Sequence, residues 1–160
     1  MLFRILSLIV LFFILTNYSY SAATSTGETE SNYDKAAKLI KTAKKYESKG
    51  KDKKAKKRYE RALKFLVKSN KEKPNQADTL NYLGFATRKL GDYEKGEKYY
   101  LLGLEIDPNH KGINEYLGEL YVVTNRIDLA KQRLDVLKNC NCEEYNELKE
   151  IIDGKKRSKY

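Results

Sequence analysis

A 34-residue internal repeat is the feature that most constrains how this chain can fold. Residues 82–84 and 116–118 both read Tyr-Leu-Gly, and the match stays in phase from Gly91 to Asn125. Self-similarity at this period is typical of helix pairs that stack because no single pair can bury its apolar face alone. The repeat therefore predicts an all-α solenoid.

The clearest repeat unit covers residues 77–110. Leu80 and Leu83 recur at helical spacing and are expected to face the second helix of the pair. Gly84 has no side chain, so the two helices can approach closely there. Pro108 closes the unit because proline cannot continue a helix and disfavours helical geometry in the residue before it.

Two further units flank the first. Residues 111–144 repeat its plan, with Asn125 in place of the turn glycine, which is acceptable because asparagine also adopts left-handed geometry. Residues 36–76 carry the same landmarks 41 positions ahead of the second unit, so this unit is seven residues longer. Because the match holds through Ala62, the extra residues are expected to prolong its second helix by roughly 10 Å.

The segment 143–152 is predicted to be a capping helix. It places Tyr145, Leu148, Ile151 and Ile152 on one face, which suits a terminal element that covers the last repeat. The prediction is therefore seven helices between residues 33 and 152, without strands, of which the second is the longest.

These landmarks resemble the tetratricopeptide repeat (TPR). The positions that carry the match are Leu80, Leu83, Gly84, Tyr100 and Pro108 in one unit and Leu117, Gly118, Tyr121 and Ala130 in the next. The resemblance implies a right-handed superhelical solenoid of about three TPR helix pairs, at residues 36–76, 77–110 and 111–144, plus the C-terminal capping helix.

In this family the first helices line a concave groove that holds peptides or helices of other proteins. The resemblance therefore implies a non-enzymatic interaction scaffold with a protein partner. The groove residues it implies are Asp78, Asn81, Tyr82, Phe85, Arg88, Lys89, Gly112, Glu115, Tyr116, Glu119, Val122 and Val123. Tyr82 and Tyr116 suit a binding hot spot, and they equally suit packing between adjacent repeats.

One binding mode of the family is not expected here. Members that clamp a C-terminal carboxylate use lysine and asparagine at set groove positions. Those positions hold Ile40, Tyr82, Gly112 and Tyr116 in this chain.

The N-terminus has the layout of a secretory signal. A basic start at Arg4, an apolar run and the small residues Ser21, Ala22 and Ala23 favour cleavage after residue 23. An uncleaved inner-membrane anchor is the alternative. Residues 24–32 are expected to be a disordered leader and residues 153–160 a basic tail. The mature chain is thus expected in a bacterial periplasm, with no membrane span.

The charge is unevenly distributed along the chain. Residues 31–75 hold 17 Lys/Arg against 5 Asp/Glu, whereas residues 76–154 hold 10 against 15. This pattern suggests an alternative function, a basic adaptor that binds an anionic polymer or membrane surface through residues 35–73, including Lys53, Lys56 and Lys57. Lysine outnumbers arginine 25 to 7, and arginine is the better residue for bidentate phosphate recognition, so nucleic acid is not the expected partner.

No pattern points to catalysis, a cofactor or a metal. The only histidine, His110, follows a turn and suits a capping role. Cys140 and Cys142 are expected to form a disulfide in an oxidising compartment, or else to be buried thiols or to take part in metal or intermolecular chemistry.

Overall fold

Seven α-helices account for most of the chain in a computed structural model that describes residues 30–158. No strand occurs within these residues. The predicted signal peptide and the first six residues of the predicted leader lie outside them. The helices are α1 (Asn32–Glu47), α2 (Asp52–Glu72), α3 (Ala77–Lys89), α4 (Tyr93–Ile106), α5 (Lys111–Val123), α6 (Ile127–Leu137) and α7 (Glu143–Ile152).

The long second helix predicted from the phase slip is confirmed. The helix α2 has 21 residues, more than any other described helix, and continues through the segment where the insertion was placed. Its buried positions, Ala55, Tyr59, Ala62, Leu66 and Ser69, recur every three or four residues, so one face packs along its full length.

Short turns connect the two helices of each pair. Gly50, Gly91 and Asn125 occupy these turns with φ values of 64°, 97° and 57°. A positive φ is accessible to glycine and tolerated by asparagine. The prediction that Asn125 occupies the turn position that glycine holds in the other units is therefore confirmed. Each turn lets the second helix fold back on the first, which produces the pairs α1–α2, α3–α4 and α5–α6.

The core consists of two adjoining clusters. One contains side chains of α1 to α3, including Tyr59 and Phe85, and the other is built around Tyr100 and Leu117. At Gly84, an added Cβ would lie 2.6 Å from the Tyr100 ring, so the predicted close approach of α3 and α4 requires glycine there.

The last helix caps the third pair. Leu148 is fully buried and Ile151 is 5% exposed, and α7 packs against both α5 and α6. Within residues 30–158, no helix is both long and apolar enough to cross a bilayer.

Candidate functional site

Two adjoining chambers form a groove along the first helices of the pairs. The aromatic chamber, of about 510 Å³, is lined by Lys44, Glu47, Ser48, Asp52, Phe85, Lys89, Glu115, Tyr116 and Glu119. The acidic chamber, of about 560 Å³, is lined by Ala77, Asp78, Asn81, Tyr82, Asp107, Asn109, His110, Lys111, Gly112, Glu115, Tyr116 and Glu144. Glu115 and Tyr116 line both chambers, so the two adjoin at these residues.

A cation and two rings make up the floor of the aromatic chamber. The centroids of Phe85 and Tyr116 lie 4.9 Å apart. The Lys44 ammonium lies 4.6 Å from the Phe85 centroid and 5.1 Å from that of Tyr116, and it donates a hydrogen bond of 2.9 Å to the Tyr116 hydroxyl. These contacts are favourable cation–π geometry and connect α1 to α3 and α5.

Glu47 joins three helices at the edge of this chamber. Its carboxylate lies 2.7 Å from the Lys89 ammonium and accepts a 2.9 Å hydrogen bond from the Tyr59 hydroxyl. Burial, and then the charge of Glu47, raise the pKa of Tyr59 far above its ordinary range. The Tyr59 hydroxyl therefore keeps its proton and remains a donor.

A buried ion pair lies beneath the groove. Arg88 is 1% exposed and donates to the Tyr116 carbonyl at 2.5 Å, and its guanidinium lies 3.3 Å from the Glu119 carboxylate. The rings of Phe85, Tyr100 and Tyr116 each have their centroid within 5.7–5.9 Å of the Arg88 Cζ atom. Arg88 therefore supports the groove from below instead of presenting its charge to a ligand.

Carboxylates predominate in the acidic chamber. Asp78, Asp107, Glu115 and Glu144 line it with a single ammonium group, that of Lys111. Two of the four already have partners, because Asp78 lies 3.1 Å from the His110 Nε2 atom and Asp107 accepts from the Asn109 backbone N–H.

His110 has the capping role predicted from its position. Its Nδ1 atom accepts a 3.2 Å hydrogen bond from the Ile113 backbone N–H at the start of α5. A neutral ring with its proton on Nε2 satisfies both this contact and the one to Asp78.

Glu115 is the titratable group at the junction of the chambers. Burial is the largest influence on its carboxyl, the charge of Glu119 the next, and together they raise its pKa to about 8 against an opposing effect of Lys44. Glu144 and Glu147 of α7 act in the same direction as Glu119. Among residues 30–158, no hydrogen-bond or ion-pair partner satisfies the Glu115 carboxyl.

Most groove residues implied by the TPR resemblance lie at the chambers. Arg88 lies below the groove, and neither Val122 nor Val123 lines a chamber. Val122 packs against the second core cluster, and Val123 is exposed. Tyr82 lines the acidic chamber and also stacks on Tyr33, with centroids 5.5 Å apart. The stacking is the predicted packing between adjacent repeats, and the binding role stays a prediction.

The sequence interpretation missed the contribution of the first repeat. Lys44, Glu47 and Ser48 line the aromatic chamber. They stand 41 positions before Phe85, Arg88 and Lys89, so the offset that relates the first two units already pointed to them.

The connection between α6 and α7 contains a disulfide. Cys140 and Cys142 are bonded, with Cα atoms 5.2 Å apart. Within the described part of the chain, no group of three or more His, Cys, Asp or Glu side chains is arranged to hold a metal ion.

Solved structures identify the architecture. The first TPR domain of human RPAP3 aligns with 74% of this chain and 91% of its own length, at 20% identity and a TM-score of 0.55. The chain has the TPR fold.

Two other TPR-fold structures are similarly close. The Yersinia enterocolitica type III secretion translocator chaperone SycD aligns with 76% of this chain and 88% of its own, at 19% identity and a TM-score of 0.54. The second TPR domain of human RPAP3, in complex with the HSP70 peptide SGPTIEEVD, aligns with 76% and 98%, at 18% identity and a TM-score of 0.52. No protein-family model and no curated protein matches the sequence.

Proposed function

We propose that this chain is a non-enzymatic scaffold that holds a peptide or helix of another protein in its concave groove. The observation that carries the proposal is the pair of adjoining chambers around Tyr116, which offers rigid aromatic surface beside charged groups. The second TPR domain of human RPAP3, which shares the fold, holds a peptide, and this supports the same use of the groove here.

Tyr116 is the residue with which to test this function. It is half-buried at the junction of the chambers, whereas Phe85 is 2% exposed, so Phe85→Ala would disturb the core as well as the groove. Peptides enriched from a random twelve-residue display library should bind the Tyr116→Ala variant about 1–3 kcal/mol more weakly than the wild type, the range for an aromatic anchor.

Fluorescence anisotropy would measure the affinities, and circular dichroism would show that the variants remain folded. Tyr99→Ala provides a matched control, because Tyr99 is also half-buried and lines neither chamber. Failure to enrich any peptide, or equal binding by the Tyr116→Ala variant, would contradict the proposal.

A second candidate function rests on a different cavity. Tyr46, Lys54, Lys57, Arg58 and Arg61 line a space of about 410 Å³ at the α1–α2 pair, which suits an anionic polymer or membrane surface. Binding there would survive Tyr116→Ala and be lost in Lys57→Glu, so the same two variants distinguish the candidates.

We further propose that the chain is exported to the periplasm. The proposal rests on the basic start, apolar run and small residues of positions 1–23. The intact mass of protein recovered from the cell envelope should correspond to a chain that begins at Thr24. Retention of the first 23 residues would favour the membrane anchor instead.

A further inference from the structure

Three acceptor groups in the acidic chamber have no donor. Within residues 30–158, neither the Glu115 nor the Glu144 carboxyl has a hydrogen-bond or ion-pair partner. Asn81 is 7% exposed, and its Oδ1 atom is buried without a hydrogen-bond partner in the same part of the chain. Of the three, only the Asn81 Oδ1 atom is buried without a partner, whereas the two carboxyls remain accessible to water. A buried acceptor without a donor is costly, so the Asn81 amide indicates a ligand that brings a donor.

The Asn81 side chain, which lines the acidic chamber, lies directly against the start of α5. A Cβ atom on Gly112 would lie 2.9 Å from the Asn81 Nδ2 atom. The Asn81 amide therefore packs closely against Gly112, in the room that a Cβ atom would need.

The charge of the chamber is opposite to that of the whole chain. Four acidic side chains and one ammonium line it, although the chain has a formal net charge of +10. Two of the carboxylates, Glu115 and Glu144, lie close enough that the charge of Glu144 raises the pKa of Glu115. A cation between them would relieve this repulsion.

We propose that the acidic chamber binds an arginine side chain of the partner, so that the groove selects basic peptide segments. The proposal rests on the peptide-binding function proposed above and specifies the chemistry of the partner. A guanidinium has five N–H donors in a planar array, which suits two carboxyl groups and an amide oxygen, and its positive charge favours release of the Glu115 proton to solvent. Tyr82 and Tyr116, which also line the chamber, offer ring faces on which it can stack.

The chain already contains this recognition geometry elsewhere. Arg126 donates to both carboxylate oxygens of Glu97, at 2.8 and 2.7 Å, while its Cζ atom lies 4.5 Å from the Tyr121 centroid. The acidic chamber offers the same two components, carboxylate and tyrosine, without the arginine. The adjoining aromatic chamber would accommodate an aromatic residue near the arginine in the partner sequence.

Four labelled dodecapeptides provide the test. The reference peptide is four copies of Phe-Ala-Arg, and the others replace every arginine with lysine, citrulline or glutamate. Fluorescence anisotropy with the full chain should show a higher affinity for the arginine peptide than for the lysine peptide. The citrulline peptide should bind at least tenfold more weakly than the arginine peptide, because citrulline keeps the shape of arginine and lacks its charge. The glutamate peptide should not bind detectably.

Paired variants place the effect in the chamber. The double change Glu115→Gln and Glu144→Gln should weaken the arginine peptide at least tenfold and leave the citrulline peptide unchanged. The matched control, Glu105→Gln with Glu143→Gln, changes two exposed carboxylates that line neither chamber and should leave all affinities unchanged.

Failure of this inference is distinguishable from failure of the proposed function. Equal binding of the arginine and citrulline peptides, with both lost in Tyr116→Ala, would overturn the arginine site and leave the peptide groove standing. The inference would also be overturned if the arginine peptide bound the Glu115→Gln and Glu144→Gln double variant with wild-type affinity. If all four peptides bound and the Tyr116→Ala change altered none of their affinities, the proposed peptide-binding function of the groove would itself be wrong.

Discussion

Two opposing influences act on the Glu115 carboxyl. Burial and the charge of Glu119 raise its pKa from the ordinary 4.5 to about 8, whereas Lys44 lowers it. Below pH 4.5 the carboxyl is protonated in both the folded and the unfolded chain. Between pH 4.5 and 8 only the folded chain retains the proton, so the stability contributed by this group falls as the pH rises.

Replacing Glu115 with glutamine removes this penalty. We expect the free energy of unfolding of Glu115→Gln to exceed that of the wild type at pH 8 and to equal it at pH 4, where the wild-type carboxyl is neutral and close to glutamine in shape. Urea denaturation at pH 4, 6 and 8 would measure the difference. Glu105→Gln, at an exposed site on α4, should show no such trend. An equal gain at every pH would contradict the assigned titration.

At the residue scale, the sequence predicted which side of a helix a residue lies on better than it predicted what the side chain contacts. The repeat phase placed Arg88 on the groove side of α3, but its burial depends on the Tyr116 carbonyl and on Glu119, which lie 28 and 31 residues later. That the Asn81 Oδ1 atom lacks a donor was unpredictable for a similar reason, since only the folded arrangement shows which groups surround it. Sequence periodicity contains no information about such individual contacts.

Among the elements, α7 depends on a contact that glycine permits. An added Cβ at Gly118 would lie 2.5 Å from the Leu148 Cδ2 atom, so the absence of a side chain on α5 lets the capping helix approach closely. Gly118 thus has a different neighbour from Gly84, its counterpart 34 residues earlier, which packs against the Tyr100 ring.

A double-mutant cycle at this contact tests the capping role. Leu148→Ala should lower the free energy of unfolding by about 2–5 kcal/mol, because Leu148 is fully buried. Gly118→Ala should destabilise the wild type but stabilise the Leu148→Ala variant by up to about 1 kcal/mol, since alanine is the better helix former once space is available.

Leu129→Ala is the control for this cycle, because Leu129 is 36% exposed on α6. It should change the stability little and show no coupling to Gly118→Ala. Strictly additive effects of the Gly118 and Leu148 changes would mean that α7 does not pack as a cap.

At the element scale, the sequence was most informative where spacing alone decides the structure. The seven-residue difference between the first two units predicted the length of α2, because an insertion that keeps the apolar face in register must consist of whole helical turns. The turn residues Gly91 and Asn125 similarly predicted where the helices end. The two chambers were not predictable in this way, since they arise from side chains of three repeats and the cap.

For the whole molecule, the basic side chains are concentrated in the first helix pair and the acidic ones line the acidic chamber. Residues 31–75 hold 17 basic and 5 acidic side chains, whereas the acidic chamber holds four carboxylates and one ammonium. A cationic peptide is therefore repelled by the net charge at long range and attracted by the chamber at contact. An anionic polymer experiences the reverse long-range field.

Salt should separate these two modes of binding. Added sodium chloride screens the long-range repulsion and weakens the partly buried contacts only slightly, so the affinity of the Phe-Ala-Arg peptide should change less than about threefold between 50 and 500 mM. Polyphosphate, if it binds the cavity around Lys57, should lose affinity steeply over the same range, because its binding depends on exposed charges. Titrations of the wild type and Lys57→Glu at each salt concentration would measure both effects. A peptide affinity that falls as steeply as that of polyphosphate would mean that exposed charges, and not the chamber, hold the peptide.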